Sequence, residues 1–213
     1  MNRMPQSLID ELASDLAPVR PLKLAHGIVL LALAVLATII LVELVDGVWR
    51  GIASGRASAL FFIANGMFGL LGAAAALAAI RMAAPRVGNA HDGARWALAM
   101  AGLLPAAALV VLGLQGGFSE VIGDPYGVSC FLAGAEFGGL VFFALLIWLR
   151  RGAPVSPRLA GTFTGVAAGA LGTFAHGLAC PVDTLAHLGS WHVLPVVLGA
   201  VIGRIALPPL IRW

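Results

Sequence analysis

Residues 24–45 read Leu-Ala-His-Gly-Ile-Val-Leu-Leu-Ala-Leu-Ala-Val-Leu-Ala-Thr-Ile-Ile-Leu-Val-Glu-Leu-Val. Roughly 20 apolar residues carry a helix across the hydrocarbon core of a bilayer, and this run is long enough. Five more segments read the same way, at 57–82, 96–114, 128–149, 157–178 and 188–208. The last is interrupted in its outer half by His192 and Pro195. The composition agrees. The 213 residues are 60% hydrophobic and 11% charged, where soluble domains carry about 25% charged residues. The expected fold is all-α, an integral-membrane bundle of six transmembrane helices spanning 24–213. Residues 1–23 form a polar N-terminal part ahead of it. They hold Asp10, Glu11 and Asp15 and lack the basic start and short apolar core of a secretory signal.

The basic residues orient the bundle, because cytoplasmic loops gather Lys and Arg. Of the 13 Lys and Arg, Arg3, Arg20, Lys23, Arg81, Arg86, Arg95, Arg150, Arg151, Arg158, Arg204 and Arg212 fall on one side. Only Arg50 and Arg56 fall on the other. Six spans with both termini cytoplasmic satisfy this split. The net charge of +3 therefore reflects topology, and no dense basic stripe suggests direct nucleic-acid binding. The outer loops are then 46–56, 115–127 and 179–187. The middle one is rich in Gly and carries Glu120 and Asp124 with no positive charge. Glycines repeat every four residues at Gly161, Gly165 and Gly169, at Gly134 and Gly138, and at Gly199 and Gly203. Such spacing lets helix backbones approach closely. Packing within the bundle is the expected use; a homodimer through the fifth span is the alternative.

Both cysteines, Cys130 and Cys180, fall at the outer membrane edge on this topology. Thiolates are soft ligands for zinc, cadmium and similar ions, and in an oxidising compartment a thiol pair can also form a disulfide. The 50-residue separation leaves both options open. His176 shares a helical face with Cys180, and Asp183, His187 and His192 follow on the same side. Cys180 ahead of Pro181 is placed to cap a helical turn, which would lower its pKa. The expected metal-responsive set is Cys130, Cys180, His176, His187 and His192, with Glu136 and Asp183 tuning it. An ionisable side chain in a span usually faces the bundle interior, so Glu136 is expected to meet His176 or His192. No resident cofactor is required; a transient zinc, cadmium or similar soft ion suffices.

On the inner side, residues 7–16 read Ser-Leu-Ile-Asp-Glu-Leu-Ala-Ser-Asp-Leu. Ser7 and Asp10 give a capping-box-like start. Leu8, Ile9, Leu12 and Leu16 share a helical face, opposite Asp10, Glu11 and Asp15. Pro18 and Pro21 stop the helix. So short a helix is marginal alone. Its acidic face disfavours anionic lipid, so docking on a partner groove is the favoured reading. Leu8, Ile9, Asp10, Leu12, Asp15 and Leu16 are the expected contact residues.

Three blocks carry a family resemblance. They are Leu8-Ile9-Asp10 with Leu12, Asp15-Leu16 and Pro18-Val19; Ser129-Cys130-Phe131; and Gly177-Leu178-Ala179-Cys180-Pro181 with His187 and Trp191-His192-Val193-Leu194-Pro195. In these the chain resembles the NrsF-type membrane anti-sigma factors, over essentially its whole length. The resemblance implies a multi-pass protein of a bacterial inner membrane that holds an extracytoplasmic-function (ECF) sigma factor at the cytoplasmic face. It also implies release of that factor under heavy-metal stress sensed through Cys130 and Cys180, and sigma contact through Leu8 to Leu16. Such a protein regulates transcription and is not an enzyme. The competing readings are a membrane thiol-disulfide oxidoreductase, which would want further cysteines, and a metal transporter, which would want polar ligands at the membrane midplane.

Overall fold

The structure is a computed structural model that describes residues 10–11, 13–14, 22–85, 92–115 and 117–211. Its described residues are all-α. In chain order the helices are α1 (Leu24–Val45), α2 (Arg50–Ala53), α3 (Ala59–Met82), α4 (Asp92–Gln115), α5 (Phe118–Ile122), α6 (Gly127–Phe137), α7 (Gly139–Arg150), α8 (Pro157–Gly177), α9 (Leu185–Ser190) and α10 (Leu194–Ile211). Among the described residues, four stretches are long and apolar enough to cross a membrane: Leu24–Val45, Ala59–Met82, Gly127–Arg150 and Leu185–Ile211. The chain is therefore a multi-pass membrane protein. Val29, Leu33, Leu36, Ile40 and Leu44 of α1 stay exposed; in a bilayer that surface faces lipid tails as apolar as itself.

Two of the expected spans are broken, each for a visible reason. The fourth divides at Gly138, between α6 and α7. A Cβ at Gly138 would press on the Ala168 carbonyl of α8, so glycine is what permits the approach. The sixth divides at Trp191–Val193, between α9 and α10. Pro195 has no N–H to continue a helix from the preceding turn, but it fits the first turn of a new one.

Helix α8 is the centre of the bundle and packs against α10, α3, α6 and α7. Its small residues meet a neighbour on nearly every face. Gly161 and Gly165 lie against Gly203 and Gly199 of α10, Gly169 against Pro195, and Gly172 against Gly134 and Gly138. The glycine stripe of α8 is thus used inside the chain. Surrounded by protein, α8 tolerates Thr164 and Thr173 in its buried surface and is less apolar than the lipid-facing helices.

The far end of the bundle is held by α7. Trp148 Nε1 donates to the Ile80 carbonyl at 3.1 Å, and its ring fills the space left by Gly27. Ala153 N–H donates to the Ala83 carbonyl at 2.8 Å. Trp148→Phe should keep most of the packing and lose the hydrogen bond, costing about 1 kcal/mol in detergent unfolding.

Candidate metal centre

The opposite end gathers the chemistry. Cys130 lies in the first turn of α6, where its N–H donates to the Tyr126 carbonyl at 2.9 Å. Cys180 ends the tail of α8: the N–H groups of Ala179 and Cys180 both donate to the His176 carbonyl, at 2.9 and 3.1 Å. Pro181 then prevents further helix. The next helix, α9, begins only at Leu185, and its cap is Thr184, whose hydroxyl accepts from His187 N–H at 3.3 Å. Cys180 is therefore not a helix cap, contrary to the sequence expectation. Threonine is a preferred N-cap, and three non-helical residues separate it from Cys180.

Fifty residues apart in sequence, the two sulfurs lie 3.6 Å apart, unbonded and buried. His187 Nε2 stands 3.5 Å from the Cys180 sulfur. His192 completes the group: one ligand atom each from Cys130, Cys180, His187 and His192 lie within 4.8 Å of one another. His187 and His192 are each 1% exposed. Neither ring nitrogen of His192 has a hydrogen-bond partner in good geometry among the described residues. The Cys180 thiol is pulled below the ordinary thiol range, first by the Cys130 thiol donating to it and then by the imidazoles of His187 and His192, against the opposing effect of burial. A depressed thiol is the ligating, nucleophilic form.

Two acidic residues from the loops support the imidazoles. Asp124 accepts from His187 Nδ1 at 2.5 Å. Asp46 accepts from His176 Nδ1 at 3.2 Å. His176 stands beside the four-residue group rather than in it: its ring stacks on Phe137 and lies 6.1 Å, centroid to centroid, from His192. In the sequence Asp124 stands out only as an acidic loop residue. Its one signal was a carboxylate in a loop with no Lys or Arg to pair with.

Other expected residues are placed differently. Asp183 Oδ2 accepts from Ser58 N–H at 3.1 Å, at the start of α3. It fastens the Cys180 loop to the helix that Ser58 caps, a favourable site for a carboxylate. Trp49 N–H, just ahead of α2, does the same, donating to the Leu178 carbonyl at 2.9 Å. Asp183→Ala should cost about 1 kcal/mol in unfolding and loosen the loop without removing a ligand. Glu136 is exposed on α6 and does not meet His176 or His192. It lies two residues beyond buried Gly134, about 200° around a helix of 3.6 residues per turn, so the phase that turns Cys130 inward turns Glu136 out. Of the expected partner-contact residues, Asp10 is helical and exposed. Leu8, Ile9, Leu12, Asp15 and Leu16 lie outside the described residues.

The cluster can hold a soft or borderline metal ion, or its thiols can close on each other under an oxidant. The loop 117–127 covers it: Trp191 packs on Gly127, and its Nε1 donates to the Val121 carbonyl at 3.2 Å.

Comparisons with known proteins follow the same direction. A "Probable anti-sigma-F factor NrsF" from Azospira oryzae is 34% identical over 85 residues. That match covers 40% of this chain and 40% of the relative. No solved structure matches. The family described as "Negative regulator of sigma F" (NrsF) matches residues 12–213. This is a regulatory rather than a catalytic family, and by that near-complete match the chain belongs to it.

Proposed function

We propose that this chain is an inner-membrane anti-sigma factor that holds an ECF-type sigma factor on the cytoplasmic face and releases it when a soft metal or thiol-directed agent reaches Cys130 and Cys180. One observation carries the reading: the only two cysteines, 50 residues apart, meet at 3.6 Å in a buried cluster with two histidines. Six spans are supported by α4 and α8, of 24 and 21 residues, which at 1.5 Å per residue reach about 30 Å or more. The 11-to-2 partition of basic residues supports a cytoplasmic face at the end carrying Arg81, Arg150, Arg151, Arg158 and Arg204. The thiol cluster then faces the periplasm.

The signal has a physical route. A ligand that fixes Cys130 to Cys180 acts on α6. Helix α6 joins α7 at Gly138, and the last turn of α7 holds Trp148, wedged against Ile80 and Gly27. A cavity of about 260 Å³ opens there, lined by Trp148, Ile80, Arg81 and Leu22. Leu22 follows the N-terminal segment directly in sequence. Two bundle states must bind the ligand differently, or nothing is transmitted. Driving the equilibrium from 1:99 to 99:1 needs about 5.5 kcal/mol of differential binding. Structural zinc sites supply roughly 10–16 kcal/mol in all, which leaves a margin. Trp148→Phe is expected to raise the metal concentration for half-release about fivefold or more, within the usual span of allosteric coupling, with metal affinity of the isolated protein unchanged. Release in vesicles against metal concentration measures it.

The test of the main reading is copurification from the native host in mild detergent, read by mass spectrometry. A sigma factor is expected with the full chain and not with a chain lacking residues 1–16. No sigma factor with either overturns it.

A further inference from the structure

We propose that Cys130, Cys180, His187 and His192 form a closed, four-coordinate site for a d¹⁰ divalent ion, zinc or cadmium, and that Asp124 positions His187 within it. This deepens the metal-responsive reading of the same cluster and rests on it for biological meaning, though not for its chemistry.

The spacing of the ligand atoms is the first argument. With Zn–S near 2.3 Å and Zn–N near 2.0–2.1 Å, the edges of a tetrahedron are about 3.8 Å for sulfur to sulfur and about 3.6 Å for sulfur to nitrogen. The observed distances are 3.6 Å between the thiols and 3.5 Å from the Cys180 sulfur to His187 Nε2. A disulfide needs about 2.0 Å between sulfurs, so the pair stands nearer to metal-bound than to bridged spacing.

The second argument is His192. A buried side chain whose ring nitrogens both lack a good partner gives up its hydration with no hydrogen bond in exchange, and such orphans call for an explanation. His192 faces the Cys180 sulfur and His187 across the same small volume. A cation there would take up its lone pair.

The third argument is the tautomer of His187. The Asp124 carboxylate only accepts, so Nδ1 carries the hydrogen, and Nε2 is left with its lone pair toward the thiols. Metal-binding histidines are commonly held this way by a carboxylate. All four ligands come from protein, and they sit under a covering loop. A site without an open position is a holding or sensing site, not a catalytic one. The thiol–imidazole donor set favours zinc and its heavier congener over magnesium, calcium or manganese, which prefer oxygen.

Titration of the reduced, purified full chain in detergent with cobalt(II) tests this. The expected result is one equivalent bound, with the intense visible bands of tetrahedral cobalt and a sulfur-to-cobalt charge-transfer band, both erased by stoichiometric zinc. His187→Ala and His192→Ala should each lose the tetrahedral spectrum. Asp124→Asn should retain it with affinity lowered tenfold to a hundredfold, and Asp124→Glu should recover part of that loss. X-ray absorption on the zinc form of the unmodified chain should count two sulfur and two nitrogen ligands, so the proposal does not depend on any variant folding. A weak six-coordinate spectrum, no binding, or an unchanged spectrum in both histidine variants would overturn it. The titration needs no sigma factor. Its failure would leave the anti-sigma reading standing, and failure to copurify a sigma factor would leave a tetrahedral spectrum unexplained by any partner.

Discussion

Gly165→Ala is expected to lower the unfolding midpoint of the protein in mild detergent by the equivalent of about 3 kcal/mol or more. That is the upper end of the range for overpacking a core. A methyl group at Gly165 would overlap the carbonyl oxygen of Gly199, and the reciprocal substitution at Gly199 would overlap that of Gly165. Both obstacles are helix backbone, which cannot rotate aside as a side chain does. Relief requires α8 and α10 to separate along their length, which would also disturb the Gly161–Gly203 and Gly169–Pro195 approaches. Gly66→Ala is the control. Gly66 is exposed in the middle of α3 with nothing within 4 Å of an added Cβ. Alanine there should be neutral or stabilise by up to about 1 kcal/mol through helix propensity. Equal loss at both positions would mean that the α8–α10 contact does not set the effect.

Replacing both thiols, Cys130→Ser with Cys180→Ser, should leave the sigma factor bound at any sub-lethal cadmium or zinc concentration. The serine hydroxyls preserve size and polarity, and the N-terminal segment is untouched, so capture should be unaffected. The metal loses two strong soft ligands, and the imidazoles that remain cannot supply the roughly 5.5 kcal/mol needed to reverse a 1:99 equilibrium. Sigma-dependent reporter output against metal concentration reads this directly. A response of ordinary size in the double variant would remove the thiols from the signal. A reporter switched on without metal would show instead that the thiols are needed to hold the partner.

Much of this architecture could be read from residue order. The first span was expected at Leu24–Val45 and is found there, because a long apolar run with no breaker has one low-energy form in lipid. The four stretches apolar enough to span were all among the six expected. Interruptions were harder to place. Gly138 divides a span because of a backbone that approaches from α8, and no local signal marks that partner. The helical turn expected from Pro181, with Cys180 as its cap, does not form; the next helix starts at Leu185 and is capped by Thr184, since capping depends on where the chain re-enters a helix.

The site shows the same division. Cys130, Cys180, His187 and His192 were all singled out from chemistry and sidedness. His176 was placed with them by its four-residue spacing from Cys180, yet its Nδ1 turns to Asp46. Glu136 was expected inside and lies outside. Side-chain phase on a helix is set by which face is buried, and that depends on neighbours.

The sequence by itself determined that the chain is a membrane protein, which segments are apolar enough to span, and which few residues are capable of metal or thiol chemistry. Those properties are sums over local composition. Only the tertiary structure decided that thiols 50 residues apart come within 3.6 Å, that Asp124 rather than Glu136 supports the cluster, and that the glycine stripe of α8 is spent on α10. These depend on the relative rotation and depth of separate helices, which close packing fixes across the whole bundle and no local pattern encodes.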